Sequence, residues 1–360
     1  MKKILFKGAG TAIVTPFTED KINYPEFEKL LNFQIDNNID AIIVCGTTGE
    51  SPTLSMEEKK SLIDFTVKTV KSRVPVIAGT GGNCTKTSIE LSKYAESAGA
   101  DGLLLVTPYY NKTTQKGLIA HYSSIAESTN LPIILYNVPA RTGLNITPDT
   151  CLKLSEIENI VAIKEASGNI SQIAEIASIC KDNLHIYSGN DDQILPILSL
   201  GGIGVISVLS NIAPNYVHSM VELYFKNEIS KSTEMQLNSI PVISSLFSEV
   251  NPIPIKEALN QIGFNVGIPR LPLVKMTEEG QQKLQTLLAK FLTLSFWYVG
   301  ASAHRCPGRR GRRPLQILQL YYNLITFNKI NDFYDIIKII NINLYERGWQ
   351  NWTMIENSYI

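Results

Sequence analysis

Along the first two-thirds of the chain, short β-branched apolar runs alternate with amphipathic stretches at fairly even spacing. The runs are GAGTAIVTPF (8–17), IDAIIVCGTTGE (39–50), VPVIAGTGG (74–82), GADGLLLVTPYYN (99–111), LPIILYNVP (131–139), IVAIKEAS (160–167), LHIYSGND (184–191) and GGIGVISVLSN (201–211). Each is nearly continuous in its apolar character, which predicts a strand buried on both faces. The segments between them, such as YPEFEKLLNFQIDNN and SMEEKKSLIDFTVKTVKSR, are apolar at i, i+3/i+4 and charged elsewhere, and so predict surface helices. Ser55 followed by Glu57 and Glu58 predicts a helix start with an acidic first turn.

Eight strand–helix alternations fit a closed parallel barrel, for which about 250 residues is typical. A doubly wound open sheet is the rival, and it calls for a glycine-rich phosphate loop after the first strand. Here that loop is TPFTEDKIN, without the glycines. GTGGN (79–83) is not followed by GK[ST], so it reads as a turn rather than a nucleotide cradle. The expectation is an α/β chain: a (β/α)8 TIM barrel over residues 1–212 with a C-terminal helical appendage over 213–293.

Composition changes sharply after residue 293. All three tryptophans and six of the nine arginines lie in 294–360, and the block ASAHRCPGRRGRRPLQ is rich in Arg, Gly and Pro. One reading is a basic arm for an acidic partner. The preferred reading is a disordered or read-through tail without function, because it begins where the alternating pattern has finished.

For the whole chain, 33 basic residues balance 33 acidic ones, which indicates no nucleic-acid or membrane partner. The start, MKKILFKGAG, is interrupted too early for a secretory signal. The longest uncharged run, FLTLSFWYVGASA (291–303), is too short to cross a bilayer. Five scattered cysteines form no CxxC or Cys/His cluster, so neither zinc nor a disulfide framework is expected. The chain reads as a cytoplasmic protein without metal or organic cofactor.

Chemistry enters through NIVAIKEASGN (159–169), where an apolar run leads into Lys164. On that stretch alone, a strand-ending lysine that snorkels its charge to water is the simpler account. The alternative is a desolvated amine kept for chemistry. In a barrel, active sites lie at the C-terminal ends of the strands. Those positions hold Thr47 and Thr48, Tyr109 and Tyr110, Tyr136 and Lys164, with Arg141 after strand five, Gly189 after strand seven and Ile206 in strand eight. Burial lowers a lysine's pKa toward the neutral form that attacks a ketone. Attack on a 2-oxo acid gives an iminium, and proton loss from its methyl gives a nucleophilic enamine. Tyr136 on the neighbouring strand is placed to carry protons, Thr47 and Tyr110 could extend it into a relay, and backbone N–H groups of the Gly46-Thr47-Thr48 turn could hold the carboxylate. Cys45 reads as core, and His121, His185 and His218 as structural. Asp191 and Asp192 read as caps for the next helix.

GTTGES, VTPYYN, YNVPARTG and VAIKEASGN, in this order and at these separations, resemble the dihydrodipicolinate synthase family of the N-acetylneuraminate lyase superfamily. The resemblance spans roughly residues 4–292. It implies a lyase, a class I aldolase on a (β/α)8 barrel, that condenses pyruvate with L-aspartate 4-semialdehyde on the way to diaminopimelate and lysine. It also implies a homotetramer built from tight dimers, and no cofactor beyond the covalent pyruvate Schiff base; a dimer is expected instead if the 294–360 tail packs where the tetramer would form. By resemblance, Lys164 is the Schiff-base lysine, and Tyr136, Thr47 and Tyr110 are the relay, Tyr110 serving the neighbouring subunit's site. Thr48 matches the pyruvate-carboxylate binder, and Gly189 and Ile206 line the pyruvate pocket. Arg141 matches the arginine that holds the semialdehyde carboxylate, which sialic-acid lyases lack; those lyases also carry a serine at the position of Thr47. A sister aldolase acting on another aldehyde is the nearest alternative, and a non-enzymatic binding protein using the basic tail the more distant one. Relatives inhibited by L-lysine hold it near the helix after GTTGES. Ser51, Asn83 and Tyr109 match that pocket, but Met56, Lys59 and Thr87 replace two histidines and a glutamate. Weak or absent lysine feedback is expected.

Overall fold

The computed structural model describes residues 2–19 and 21–303. Eight parallel strands close into a barrel: β1 (Gly8–Ala12), β2 (Ala41–Val44), β3 (Val76–Gly79), β4 (Gly102–Val106), β5 (Ile133–Asn137), β6 (Ile160–Glu165), β7 (His185–Ser188) and β8 (Gly204–Ser207). β1 pairs with both β2 and β8, which closes the sheet and removes the open-sheet alternative. Each of the eight apolar runs contains one strand. Their buried residues on both sides explain why the runs are continuous rather than alternating: one face fills the barrel, the other meets the helices. Phe6, Ile43, Leu104, Ile134, Tyr187 and Ile206 belong to the packed interior. Between β1 and the first helix, Phe17–Thr18 and Lys21–Ile22 form a small antiparallel hairpin.

The helices follow the strands in turn: α1 (Tyr24–Asp36), α2 (Met56–Val70), α3 (Thr85–Ser97), α4 (Gln115–Ala126), α5 (Pro148–Ser155), α6 (Ile170–Cys180), α7 (Ile194–Ser199) and α8 (Pro214–Phe225). Helix α2 starts where the sequence places it. The Ser55 hydroxyl accepts from the Glu58 N–H while the Glu58 carboxylate accepts from the Ser55 N–H, a complete capping box.

Helix α8 packs on β1 as the eighth barrel helix, although its residues fall within the region expected to be an appendage. Three further helices follow: α9 (Ile229–Leu246), α10 (Ile253–Gln261) and α11 (Glu278–Ala303). The last runs to Ala303, past residue 293. The expectations for the remainder of the tail lie outside the described residues. Among the described residues, no helix is long and apolar enough to cross a membrane, and no group of three or more His, Cys, Asp or Glu could hold a metal ion.

Candidate active site

Lys164 sits on β6 in register with Tyr136 of β5 and Tyr187 of β7. Side chains alternate along a strand, so Lys164 shares the inward face with Ala162, while Glu165 points out toward the helices. Lys164 is 5% exposed, which rules out a snorkelling amine. Its Nζ lies 4.2 Å from the centre of the Tyr136 ring, an ammonium–π distance. Among the described residues no carboxylate reaches it within ion-pair distance.

Lys256, on α10, shows what a structural buried lysine looks like in the same molecule. Its ammonium pairs with Glu50 at 2.8 Å and donates to the carbonyls of Thr15 and Ile268. Burial lowers the Lys256 pKa, and the Glu50 charge and hydrogen bond oppose that. A buried charge ordinarily demands such compensation. Lys164 lacks it.

Next to Lys164, Gly189 lets β7 approach. A Cβ there would lie 2.7 Å from the Ala166 Cβ, 2.9 Å from the Glu165 carbonyl oxygen and 3.1 Å from Lys164 Cε. The Gly189 N–H donates to that carbonyl at 2.7 Å. Behind the site, Glu165 is fully buried and accepts from Asn137 at 2.6 Å and the Ser167 hydroxyl at 2.6 Å. Burial raises its pKa, and these bonds oppose the rise. Ile206 is fully buried on β8, opposite Gly10 of β1 in the register.

The loop after β2 folds back tightly. Gly49 and Ser51 donate to the Gly46 carbonyl, Glu50 donates to that of Thr47, and Glu50 itself adopts φ +58. Thr48 is buried and Thr47 half-buried. The Thr48 hydroxyl accepts from Asn251 Nδ2 at 3.0 Å, and the Asn251 carbonyl accepts from the Arg141 guanidinium at 3.2 Å. Asn251 therefore joins two residues nominated to hold carboxylates. Its Oδ1 is buried and has no hydrogen-bond partner among the described residues. Arg141 is exposed on the helical turn Pro139–Thr142, which Gly143 ends at φ +65. Asn251 escaped the sequence reading, because an Asn-Pro step in a helical region signals only a turn.

Tyr110 stands apart. It occupies the centre of a tight turn in which the Asn111 N–H donates to the Tyr109 carbonyl, at φ +67 and 92% exposed. A bulky side chain in that region of backbone space is strained, and such strain gathers at functional sites. Among the described residues, no hydrogen bond joins Thr47, Tyr136 and Tyr110 to one another.

Other residues resolve differently. Cys45 is buried, and desolvation pushes its thiol up to about 12, as befits a core residue. Asp191 is not a helix cap. Its Oδ2 accepts from the N–H groups of Val208 at 3.0 Å and Leu209 at 2.9 Å, across on the loop after β8. The N-cap of α7 is Gln193, whose side chain makes no capping bond.

A closed (β/α)8 barrel whose mouth holds one buried, unpaired amine is the architecture of a class I aldolase-type lyase. The profile of the Dihydrodipicolinate synthetase family matches residues 5–291, and the chain belongs to that family. It is 57% identical over 282 residues to 4-hydroxy-tetrahydrodipicolinate synthase 1 of Clostridium acetobutylicum, a match spanning 78% of this chain and 96% of that one. The 4-hydroxy-tetrahydrodipicolinate synthase of Clostridium perfringens strain 13 is 58% identical over 274 residues, spanning 76% of this chain and 94% of the other. Among solved structures, dihydrodipicolinate synthase from Thermotoga maritima superposes with a TM-score of 0.79 at 43% identity, covering 80% of this chain and 99% of that chain.

Proposed function

We propose that this lyase condenses pyruvate with L-aspartate 4-semialdehyde through a Schiff base on Lys164, the first committed step toward diaminopimelate and lysine. The observation that carries this is the contrast between the two buried lysines: Lys256 is paired and saturated, whereas Lys164 is buried beside a tyrosine ring with no ion pair. An amine kept out of water at the end of a barrel strand, with no carboxylate paired to it, is suited to act as a nucleophile.

Nζ of Lys164 attacks the pyruvate ketone, and loss of water from the carbinolamine gives the iminium. Removal of a methyl proton gives the enamine, whose carbon attacks the aldehyde. The amino group of the second substrate then adds to the iminium carbon, closes the ring and releases Lys164. Tyr136 moves the protons, with Thr47 and a Tyr110 completing the relay. Because Tyr110 points outward in the single chain, it serves the site of a second copy, and a tetramer of two such dimers is the assembly this reading favours. Thr48 and its turn hold the pyruvate carboxylate. Arg141 holds the semialdehyde carboxylate with the guanidinium donors that Asn251 leaves free. Gly189 and Ile206 shape the pyruvate pocket. No cofactor is required, since the lysine itself supplies the electron sink, and the reaction belongs to the cytoplasm.

The direct test is borohydride reduction in the presence of pyruvate alone, followed by peptide mass analysis. A reduced pyruvate adduct on the peptide containing Lys164 is expected, together with product formation when the semialdehyde is added. An adduct without turnover would move the second substrate to another aldehyde, and no adduct would end the Schiff-base reading.

Regulation follows from the loop beside the site. Lys59 is a half-buried residue of α2, and burial lowers its pKa. With Met56 and Thr87 in place of polar and acidic partners, a cationic ligand near Ser51, Asn83 and Tyr109 would lose an anion and meet a like charge. L-lysine at sub-millimolar concentration is expected to leave the initial rate unchanged; inhibition in that range would refute the assignment.

A further inference from the structure

Asn251 lies between α9 and α10, is 5% exposed, and touches the mouth through two different groups. Its side-chain Nδ2 donates to the Thr48 hydroxyl at 3.0 Å, and its backbone carbonyl accepts from Arg141 at 3.2 Å. The direction of the first bond decides what Thr48 can do. A hydroxyl has one proton to give and lone pairs with which to receive. Asn251 occupies the receiving side, so the Thr48 proton remains to be given. Thr48 is 2% exposed, and among the described residues that proton has no acceptor. Buried hydroxyls just past β1 and β4 differ: Thr15 donates to the Gly49 carbonyl at 2.7 Å and Thr107 to the Thr142 hydroxyl at 2.9 Å. A buried donor kept without an acceptor calls for a ligand that supplies one. Reversing the Asn251 amide would let Oδ1 accept from Thr48 but would orphan the buried NH2 group. As placed, it is Oδ1 that lacks a partner, and a bare carbonyl oxygen is better tolerated in an interior than a bare N–H.

We propose that the Asn251 side chain is a positioning residue for pyruvate. By donating to Thr48 it turns that hydroxyl's proton toward the pyruvate carboxylate, and so sets the enzyme's hold on its first substrate. This rests on the reading above in which Thr48 grips that carboxylate. An ionised carboxylate only accepts, so a hydroxyl can serve it only as a donor. Such charge-assisted bonds are also the strong ones. The contact with Arg141 runs through the Asn251 backbone and survives a change of side chain. The side chain therefore acts on pyruvate, while the backbone acts on the grip for the second substrate.

The test uses full-length wild type, Thr48→Val, Asn251→Asp, Asn251→Ala and the two double variants that combine them with Thr48→Val. The pyruvate concentration giving half-maximal borohydride trapping is measured by intact mass at mildly alkaline pH, beside thermal melting. Aspartate has nearly the shape of asparagine but, once ionised, only accepts, so it draws the Thr48 proton to itself. Its half-trapping concentration should rise roughly ten- to a hundredfold, the span of a hydrogen bond to a charged group. Thr48→Val should weaken trapping as much, and adding Asn251→Asp to it should weaken trapping little further. Repulsion between the new carboxylate and pyruvate would persist without the hydroxyl, so the comparison separates bond direction from charge. Asn251→Ala frees the hydroxyl to rotate and should raise the value severalfold, but not when residue 48 is valine. In the condensation, both Asn251 variants should raise the KM for pyruvate and leave that for the semialdehyde nearly unchanged, a split that a loosened structure would not produce. Should the aspartate variant not fold, the alanine pair decides. Wild-type trapping by either Asn251 variant, or a loss equally large with and without the Thr48 hydroxyl, would overturn the proposal. Wild-type trapping by Thr48→Val would instead overturn Thr48 as the carboxylate grip, and failure of wild type to trap pyruvate would overturn the Schiff-base reading.

Discussion

Lys164→Ala is expected to abolish pyruvate trapping and to lower product formation by on the order of 10⁴-fold or more, as removing a covalent nucleophile generally does. The alanine leaves no group able to form the iminium, and water in its place cannot act as an electron sink. The fold should survive. The substitution removes a long aliphatic stem from a buried position, which costs packing, but it also removes an amine that has no ion-pair partner, which offsets part of that cost. Thermal melting close to wild type, measured beside the trapping and product assays, would separate lost chemistry from lost structure. Retention of even a few per cent of wild-type turnover would show that the condensation does not pass through Lys164.

The largest effect on stability is expected from Lys256→Met. Lys256 is 1% exposed, and its partner Glu50 holds the ammonium with one oxygen at 2.8 Å and the Arg270 N–H with the other at 2.8 Å. Methionine fills the space but strands the Glu50 carboxylate in the interior, and breaking a buried pair from one side costs about 3–5 kcal/mol. Replacing both partners, as Glu50→Gln with Lys256→Met, should recover a large part of that loss, because no uncompensated charge remains. Denaturant unfolding of the two variants beside wild type checks this. Since Glu50 ends the turn that carries Thr47 and Thr48, the single variant should also raise the KM for pyruvate with a smaller change in kcat. A loss below about 1 kcal/mol would mean that water or relaxation rescues Glu50 and that the pair contributes little.

The strands were legible in the sequence because a barrel strand is buried on both faces and leaves a continuous apolar run that no surface element imitates. The candidate catalytic positions could be nominated for a related reason: polar residues such as Thr47, Tyr136 and Lys164 stand where those runs end. Asn251 and Asp191 were not. Asn251 meets Thr48 across 203 positions of sequence, and nothing local marks it. Asp191 obeys a local rule, since an acidic pair before a helix resembles a cap. Its actual partners are two amides 17 and 18 residues further on, which only barrel closure brings within reach. The eighth helix shows the same limit. Pro214–Phe225 reads as one more helix in a helical region, and only its packing on β1 assigns it to the barrel.

Asn251 also has a consequence for how this enzyme could be dissected. The barrel carries the amine, the tyrosine and the glycine turn, yet the strut joining Thr48 to Arg141 is encoded after the eighth barrel helix has ended. A chain trimmed before residue 250 would retain eight strands and a buried lysine while losing the crosspiece between the two residues proposed to grip the substrates. Grafting this chemistry onto another barrel would therefore mean importing a segment from outside the barrel, since the strand ends alone do not encode the whole mouth.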